Sequence, residues 1–167
     1  MAKPIVSAAR LRELLHYDPE TGVFTWRVNR GRTAKAGSIA GFICKPQGYI
    51  NTSVDGRTYK THRLAWLHVY GEWPLQDIDH LNGVRTDNRI ANLRDVSRSF
   101  NMQNRRTHST HNKAGVLGVS FHKKTKKWMA QITNNGRRIT LGYYETTDLA
   151  YAFYISAKRV LHPGNTL

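Results

Sequence analysis

The sequence predicts an α+β protein built from small modules. Three observations predict it: short segments alternate apolar and polar residues, turn-forming pairs join such segments, and helix-like apolar spacing appears in short stretches between them. A chain of 167 residues has room for one domain or for two or three small ones. We predict an N-terminal basic β-rich module over residues 1–60, a central module over 61–106, a linker over 107–113 and a C-terminal module over 114–167.

The N-terminal module is predicted to begin with a short helix. Ser7 is a typical N-cap, and Leu11, Leu14 and Leu15 follow it at the spacing of one helical face. After a turn, Val23–Val28 alternates apolar and polar residues, which is typical of a strand with one buried face.

A β-hairpin closes this module. The runs Tyr49–Val54 and Arg57–Thr61 flank an Asp55-Gly56 pair, which suits the type I′ turn of tightly connected strands. The loop-like stretch before the hairpin is basic, and its Arg30 and Arg32 are candidate contacts for phosphate groups. A solvated loop explains these two arginines equally well, so that alternative stays open.

The central module is predicted to hold a helix, two strands and a second helix. Residues 62–70 have helical spacing, and His62 within them is interpreted as a structural or phosphate-contacting residue. Further on, Asp79-His80 precedes a turn, Leu93–Val96 forms the return strand, and Ser97 caps the second helix.

The C-terminal module is predicted to be a three-stranded antiparallel sheet packed on one helix. Its strands are Val116–His122, Lys127–Thr133 and Arg137–Tyr144. Thr146 or Thr147 is expected to cap the helix. The apolar spacing predicts that the buried stripe of this helix consists of Leu149, Ala152, Phe153, Ser156, Ala157 and Val160.

The composition limits the partners and the compartment. Lys and Arg number 26 against 11 Asp and Glu, and the net charge of +15 suits a polyanion such as nucleic acid. Cys44 is the only cysteine, so we expect neither a disulfide framework nor a structural zinc built on cysteines. The sequence has no apolar run near the length of a membrane span and no signal-peptide pattern. We therefore expect an intracellular, cytoplasmic protein with no membrane partner.

The stretch from Asp79 to Asn101 contains several side chains that are candidates for catalysis or metal binding. Asp79 and His80 are adjacent, Asn92 follows twelve residues after the histidine, and Asn101 follows nine residues later. Carboxylate and amide oxygens suit Mg²⁺ or Mn²⁺, and a neighbouring imidazole is able to deprotonate water, so phosphodiester hydrolysis is one reading. The other is a plain hairpin with a surface histidine and asparagines in turns. Spacing alone leaves both open.

The pattern Asp79-His80, then Asn88-Arg89-Ile90-Ala91-Asn92-Leu93, then Asn101 resembles the HNH nucleases, in the subgroup found in phage homing endonucleases. The resemblance covers about residues 61–106 and implies a ββα-metal motif. It implies that His80 is the general base and that Asp79 and Asn101 hold one divalent cation, Mg²⁺ or Mn²⁺. Asn92 is then expected to fix the loop that orients His80. Beyond what the resemblance implies, we expect Arg89 and Arg105 to neutralise charge on the phosphate. Many relatives have His where this chain has Asn101, and the amide favours the harder cations.

The C-terminal module is a candidate DNA-binding surface. Between Val96 and Tyr144 the chain has no acidic residue, and the polar positions of the predicted strands face away from the helix. A narrow antiparallel sheet of this kind fits a DNA major groove, although a solvated charged face is the simpler alternative. The candidate contacts are Arg105, Arg106, Lys124, Lys126, Lys127, Gln131, Arg137 and Arg138.

A second resemblance concerns the same module. Gly118-Val119, Trp128-x-Ala130-x-Ile132, Leu141-Gly142-Tyr143 and Ala150-Tyr151-Ala152-x-Tyr154 resemble the APETALA-type domain of plant ethylene-response factors. The resemblance covers about residues 113–162 and implies binding of duplex DNA through the sheet. Positions that read bases in the plant domains differ here, so no sequence preference is carried over.

Together with the two resemblances, these observations predict an HNH endonuclease that acts on double-stranded DNA. The first resemblance implies the homing type, a phage origin and a bacterial host. We expect the enzyme to nick one strand per active site, leaving a 5′ phosphate and a 3′ hydroxyl, as a monomer or homodimer. The main alternative is a non-catalytic DNA-binding regulator that keeps the nuclease fold as a scaffold. A third reading is an RNA-binding protein, which would prefer single strands.

Overall fold

The computed structural model describes residues 5–109 and 111–166, so the outermost ends of the predicted modules and one linker residue lie outside it. The chain forms two compact units, Met1–Val96 and Ser97–Leu167. Both mix short helices with small antiparallel sheets, which confirms the predicted α+β class. No helix within the described residues is both long enough and apolar enough to cross a membrane.

The first unit alternates short strands with two α-helices and ends in a hairpin that encloses a 3-10 turn at Ile90–Asn92. Its strands form two three-stranded sheets, in the orders β1-β2-β3 and β4-β5-β6, and the two-stranded sheet β7-β8. Its elements in chain order are α1 (Ala8–Leu14), β1 (Leu15–Asp18), β2 (Val23–Trp26), β3 (Ile39–Ala40), β4 (Phe42–Cys44), β5 (Tyr49–Val54), β6 (Arg57–Lys60), α2 (Thr61–Tyr70), β7 (Asp77–His80) and β8 (Leu93–Val96).

One hydrophobic core runs through this unit. It extends from Val6 to Leu93 and contains Leu11, Phe24 and Leu64, each almost fully buried. The predicted division at residue 60 therefore falls between β6 and α2, which contribute to the same core; an independent N-terminal module stays a prediction. The core matters for function because it supports β7 and β8, the strands that carry the candidate site.

The first unit differs from its predicted elements at Leu15 and within residues 29–48, and two strands are shorter than predicted: β2 ends at Trp26, and Thr61 begins α2. Leu15 was expected on the first helix, but α1 ends at Leu14 and Leu15 begins β1, where it pairs with Trp26. Residues 29–48 were expected to form a loop and contain the two short strands β3 and β4. β3 has two residues and β4 has three, which is too few for an alternating pattern to predict a strand.

The second unit is a short helix followed by a sheet with one helix packed on it. β10 lies at the centre of the sheet, with β9 and β11 antiparallel on either side. Ser97 and Thr146 cap the two helices through their side-chain hydroxyls, as predicted. Its elements are α3 (Arg98–Gln103), β9 (Val119–His122), β10 (Lys127–Asn134), β11 (Arg137–Tyr144) and α4 (Thr147–Leu161).

The predicted buried stripe of α4 is wrong. The buried residues are Ala150, Tyr154 and Lys158, whereas the predicted Leu149, Phe153 and Val160 are 51%, 53% and 82% exposed. The helix is therefore rotated by about one position. The Tyr154 ring lies so close to Gly118 that a Cβ there would be 2.0 Å from Cδ2 of Tyr154.

A buried lysine explains why apolar spacing selected the wrong face. The Lys158 side chain packs in the interior, and its Nζ donates a hydrogen bond to the Arg105 carbonyl at 2.6 Å. Burial lowers the pKa of Lys158 to about 8. A long lysine stem is able to pack like an apolar side chain when its amine finds an acceptor, and a binary pattern counts it as polar.

Candidate active site

Asp79 and His80 lie at the end of β7, in the two-stranded sheet of the first unit. Antiparallel pairing sets Asp79 opposite Arg94 and His80 opposite Leu93. Both side chains are nearly buried, at 6% and 4% exposed. A carboxylate and an imidazole in such a position need partners, because burying unpaired polar groups is costly.

Arg94 is the partner of Asp79. Its Nε and Nη2 donate hydrogen bonds to the same carboxylate oxygen, Oδ2, at 2.8 and 2.7 Å. The pair crosses between neighbouring strands and is mostly shielded from solvent. A cation bound by Asp79 would therefore share this carboxylate with a guanidinium group.

Asn88 is the partner of His80. The ring Nε2 donates to the Asn88 side-chain oxygen at 3.3 Å, and Asn88 itself is 1% exposed. The backbone carbonyl of Asn88 accepts a hydrogen bond from the Tyr17 hydroxyl at 2.7 Å. Burial lowers the pKa of His80, opposed by the Asn88 hydrogen bond and by the charges of Asp79 and Asp87. The imidazole is thus held in place and favours its neutral form.

Two further rings surround His80. The His62 ring meets it nearly at right angles, with centroids 5.0 Å apart, and the Tyr49 ring lies 5.8 Å away. Burial is the main cause that lowers the pKa of His62 to about 3. Its Nδ1 atom is buried without a hydrogen-bond partner. His62, which the sequence suggested as a structural or phosphate-contacting residue, therefore packs directly against the candidate base.

Asn92 connects the two ends of the loop that follows His80. Its Nδ2 donates to the Asp87 carbonyl and its Oδ1 accepts from the Asn82 backbone amide, both at 2.9 Å. Its own carbonyl accepts from the Leu81 amide, also at 2.9 Å. The geometry is that of a loop anchor, and the expected role of Asn92 in orienting His80 stays a prediction.

Arg89 lies in the same loop and is held by Asp87. The guanidinium donates to both carboxylate oxygens, at 2.8 and 2.6 Å. The hydrogen bond from Arg89 is the main cause that lowers the pKa of Asp87 to about 2. A phosphate contact by Arg89 would have to compete with this ion pair.

Asn101 belongs to the second unit. It lies on α3, which Ser97 caps by accepting a hydrogen bond from the Phe100 amide at 3.2 Å. The first unit thus brings together Asp79, His80 and Asn92, while the other expected metal ligand is carried by a different unit. Within the described residues, no group of three or more His, Cys, Asp and Glu side chains could hold a metal ion.

The expected donors fit a hard cation by type. One carboxylate and one amide oxygen, completed by waters and phosphate oxygens, are a normal ligand set for Mg²⁺, which keeps several of its waters. The Arg94 guanidinium on Asp79 is the feature that opposes this fit.

The other candidate DNA contacts fall into two groups. Arg32, Lys124, Lys126, Arg137 and Arg138 are exposed cations. The rest already contact the protein: Arg30 with Asp55, Lys127 with Glu145, Gln131 with Ser120, Arg105 with the Thr107 carbonyl, and Arg106 with Thr166. The surface pairs of Arg30 and Lys127 are weak and would yield readily to a phosphate.

Sequence reasoning missed Tyr49, Lys60 and Arg85 at this site. The three residues come from β5, the end of β6 and the loop after β7, and they meet around one ring beside His80. No spacing rule connects them, because the contacts arise from the packing of the sheet β4-β5-β6 near β7.

The segment that contains most of these residues matches a known protein family. A family model described as HNH endonuclease matches residues 59–103. The matched HNH segment includes His62, Asp79, His80, Asn92 and Asn101, and it supports a nuclease that acts on DNA. HNH nucleases generally use a divalent metal. No match to the chain was found among curated proteins or among solved structures.

Proposed function

We propose that this protein is a metal-dependent HNH endonuclease that hydrolyses phosphodiester bonds in double-stranded DNA. The observation that carries the proposal is a buried His80, oriented by Asn88 and adjacent to Asp79, within the matched HNH segment. The expected products are a 5′ phosphate and a 3′ hydroxyl, with one strand cut per active site.

His80 is the proposed general base. It takes a proton from the water that attacks the phosphorus, and a fixed ring orientation favours that transfer because general bases act within hydrogen-bond reach. Asn88 supplies the orientation through Nε2, and Asn92 holds the loop in which Asn88 lies. His80, Asn88 and Asn92 therefore act as one assembly in which only His80 exchanges a proton.

Asp79 and, following the family resemblance, Asn101 are the proposed ligands of one Mg²⁺ or Mn²⁺. When bound, such a cation neutralises charge on a phosphate oxygen and on the leaving oxygen. Arg94 keeps the Asp79 carboxylate oriented in the hairpin through its two hydrogen bonds.

The DNA is proposed to be held by cations of both units. In the first unit these are Arg30 and Arg32, while Arg89 is proposed to neutralise charge on the phosphate. In the second, the exposed face of β9–β11 and its hairpins is the proposed duplex-binding surface. Its proposed contacts are Arg105, Arg106, Lys124, Lys126, Lys127, Gln131, Arg137 and Arg138. This surface supports the proposal by its charge, since no acidic residue occurs between Val96 and Tyr144.

The proposed biological setting follows the homing-type resemblance. The enzyme would be phage-encoded and would act in the cytoplasm of a bacterial host, as a monomer or a homodimer. As a monomer it would nick, and a double-strand break would need a second active site.

A non-catalytic DNA-binding regulator is the second candidate. The Asp79–Arg94 ion pair favours it, because a guanidinium already neutralises the only carboxylate among the expected metal ligands. Such a protein would bind the same DNA and leave it intact.

Nicking of supercoiled plasmid tests the enzyme against the regulator. We expect the wild-type chain to relax the plasmid with Mg²⁺ or Mn²⁺ and to stop when EDTA removes the ion. His80→Ala should slow nicking by roughly 100-fold or more, as loss of a general base does, and should keep DNA binding.

His16→Ala is the matched control, since His16 is an exposed histidine of the same unit. It should nick like the wild type. The regulator is the correct reading if the wild type binds DNA and never nicks with either ion. His80 is not the base if His80→Ala nicks as fast as His16→Ala.

A further inference from the structure

Two cations share one aromatic ring beside His80. The Lys60 Nζ lies 4.8 Å and the Arg85 Cζ 5.1 Å from the centroid of the Tyr49 ring. The same ring lies 5.8 Å from the His80 ring. Arg85 is also tied to the Gln47 carbonyl by a hydrogen bond of 2.8 Å. Cation–π contacts and this hydrogen bond therefore hold two exposed positive charges one ring away from the proposed base.

No ion pair balances the charges of Lys60 and Arg85 in the part of the chain that the structure describes. Within residues 5–109 and 111–166, no salt bridge involves either side chain. The carboxylate nearest in sequence to Lys60 is Asp55, which is paired with Arg10 and Arg30. The one nearest to Arg85 is Asp87, which is paired with Arg89. Two like charges on one ring repel each other, and an anion placed between them would relieve that repulsion.

The start of α2 adds to the positive potential. Lys60 is its N-cap residue, makes no capping hydrogen bond through its side chain, and is followed by no acidic residue in the first turn. The helix dipole therefore favours an anion at this end. His62 lies in the same first turn, and its Nδ1 is buried without a partner.

We propose that Lys60 and Arg85 on the Tyr49 ring form a phosphate clamp that receives a backbone phosphate of the DNA beside His80. The clamp rests on the proposed nuclease function and adds its substrate contact. It also adds Arg85 to the residues expected to neutralise phosphate charge, of which Arg89 is already paired with Asp87. A cation outside an ion pair binds phosphate more readily, because no existing ion pair has to be broken.

Charge-removing variants of the full chain test the clamp. Binding to a duplex oligonucleotide is measured in EDTA over a range of salt, and plasmid nicking is measured with Mg²⁺ or Mn²⁺. Lys60→Gln and Arg85→Gln should each reduce the slope of log K against log salt by about 0.9. Each should slow nicking by about tenfold, the effect of one charged hydrogen bond.

Two kinds of control separate charge from structure. Arg57→Gln removes a cation from the same hairpin, where Arg57 lies over the Tyr59 ring instead; it should leave the slope and the nicking rate unchanged. Lys60→Arg and Arg85→Lys keep the charge and should stay close to wild type. If the charge-keeping variants reduce the salt slope and the nicking rate as much as the glutamine variants do, the two positions are structural and the clamp is wrong.

The outcomes also distinguish the clamp from the nuclease. Wild-type nicking together with glutamine variants that behave like Arg57→Gln would overturn the clamp and leave the enzyme intact. If the wild type never nicks and the two glutamine variants still reduce the salt slope of binding, the clamp is a DNA contact and the nuclease function is wrong.

Discussion

At the scale of single residues, two neighbours on β7 have separate partners. Asp79 reaches Arg94 across the hairpin, while His80, the last residue of the strand, reaches Asn88 in the loop that follows. Adjacent residues on a regular strand point to opposite faces, so a shared site depends on the strand ending at His80. The loop after His80 is therefore part of the site, and Asn92 is its main anchor.

Asn92→Ala should remove two loop hydrogen bonds at once. The Asn82 amide and the Asp87 carbonyl would both lose their partner, which should lower the free energy of unfolding by about 1–3 kcal/mol. Nicking should fall as well, because Asn88, the partner of His80, directly follows the anchored Asp87. Urea denaturation and plasmid nicking are the measurements.

Asn29→Ala is the matched control, since the Asn29 side-chain oxygen accepts an exposed hydrogen bond from the Ala36 amide. It should lower the free energy of unfolding by less than about 1 kcal/mol and leave nicking unchanged. Equal effects of the two substitutions would mean that Asn92 is an ordinary loop residue.

At the scale of elements, the hairpin β1–β2 supports the loop that holds His80. Its turn passes so close to the loop that a Cβ on Gly22 would lie 2.4 Å from the Arg89 amide nitrogen and 2.5 Å from the Asn88 carbonyl carbon. Tyr17 on β1 donates to the Asn88 carbonyl, and burial raises the pKa of Tyr17 to about 12. The N-terminal hairpin thus positions Asn88, and through it the imidazole.

Gly22→Ala should be strongly destabilising. The residue has φ +72°, and its new methyl group would meet backbone atoms that are unable to move aside cheaply. We expect the free energy of unfolding to fall by about 3 kcal/mol or more, because of the strained dihedral and the overpacking. Nicking should also be slower. Denaturant melts and the plasmid assay measure the two effects.

Gly37→Ala isolates the dihedral contribution. Gly37 has φ +82° and nothing within 4 Å of its Cβ position. Its substitution should cost only about 1–2 kcal/mol and leave nicking unchanged. If both alanine variants are equally stable, the close approach of the β1–β2 turn to Asn88 and Arg89 contributes nothing.

At the scale of the whole molecule, positive charge is distributed over both units. The net charge is +15, and the sheet of the second unit exposes Lys124, Lys126 and Arg138. Binding of such a protein to duplex DNA is driven largely by counterion release, so its salt dependence counts phosphate contacts. Removing a cation that contacts phosphate therefore reduces the salt dependence of binding, whereas removing a cation that faces water does not.

Arg138→Gln should reduce the slope of log K against log salt by about 0.9, as one lost phosphate contact does. Arg159→Gln removes an exposed charge from α4, on the other side of the same sheet, and should leave the slope unchanged. Titrations of a duplex oligonucleotide in EDTA at several salt concentrations measure both. Identical slopes for the two variants would exclude the outer face of the sheet from the interface.

The sequence by itself determined the features that short-range chemistry controls. Ser7, Ser97 and Thr146 cap helices where their hydroxyls reach free amides, and Asp55-Gly56 turns the hairpin β5–β6. The Asp79-His80 motif belongs with these features, since its HNH segment is identified from spacing along the chain.

Only the tertiary structure decided which side chains meet. It turned Tyr154 and Lys158 rather than Phe153 into the core, and it brought Tyr49, Lys60 and Arg85 together beside His80. The physical reason is that such contacts depend on close packing between segments far apart in the chain, which local propensity and periodicity do not encode.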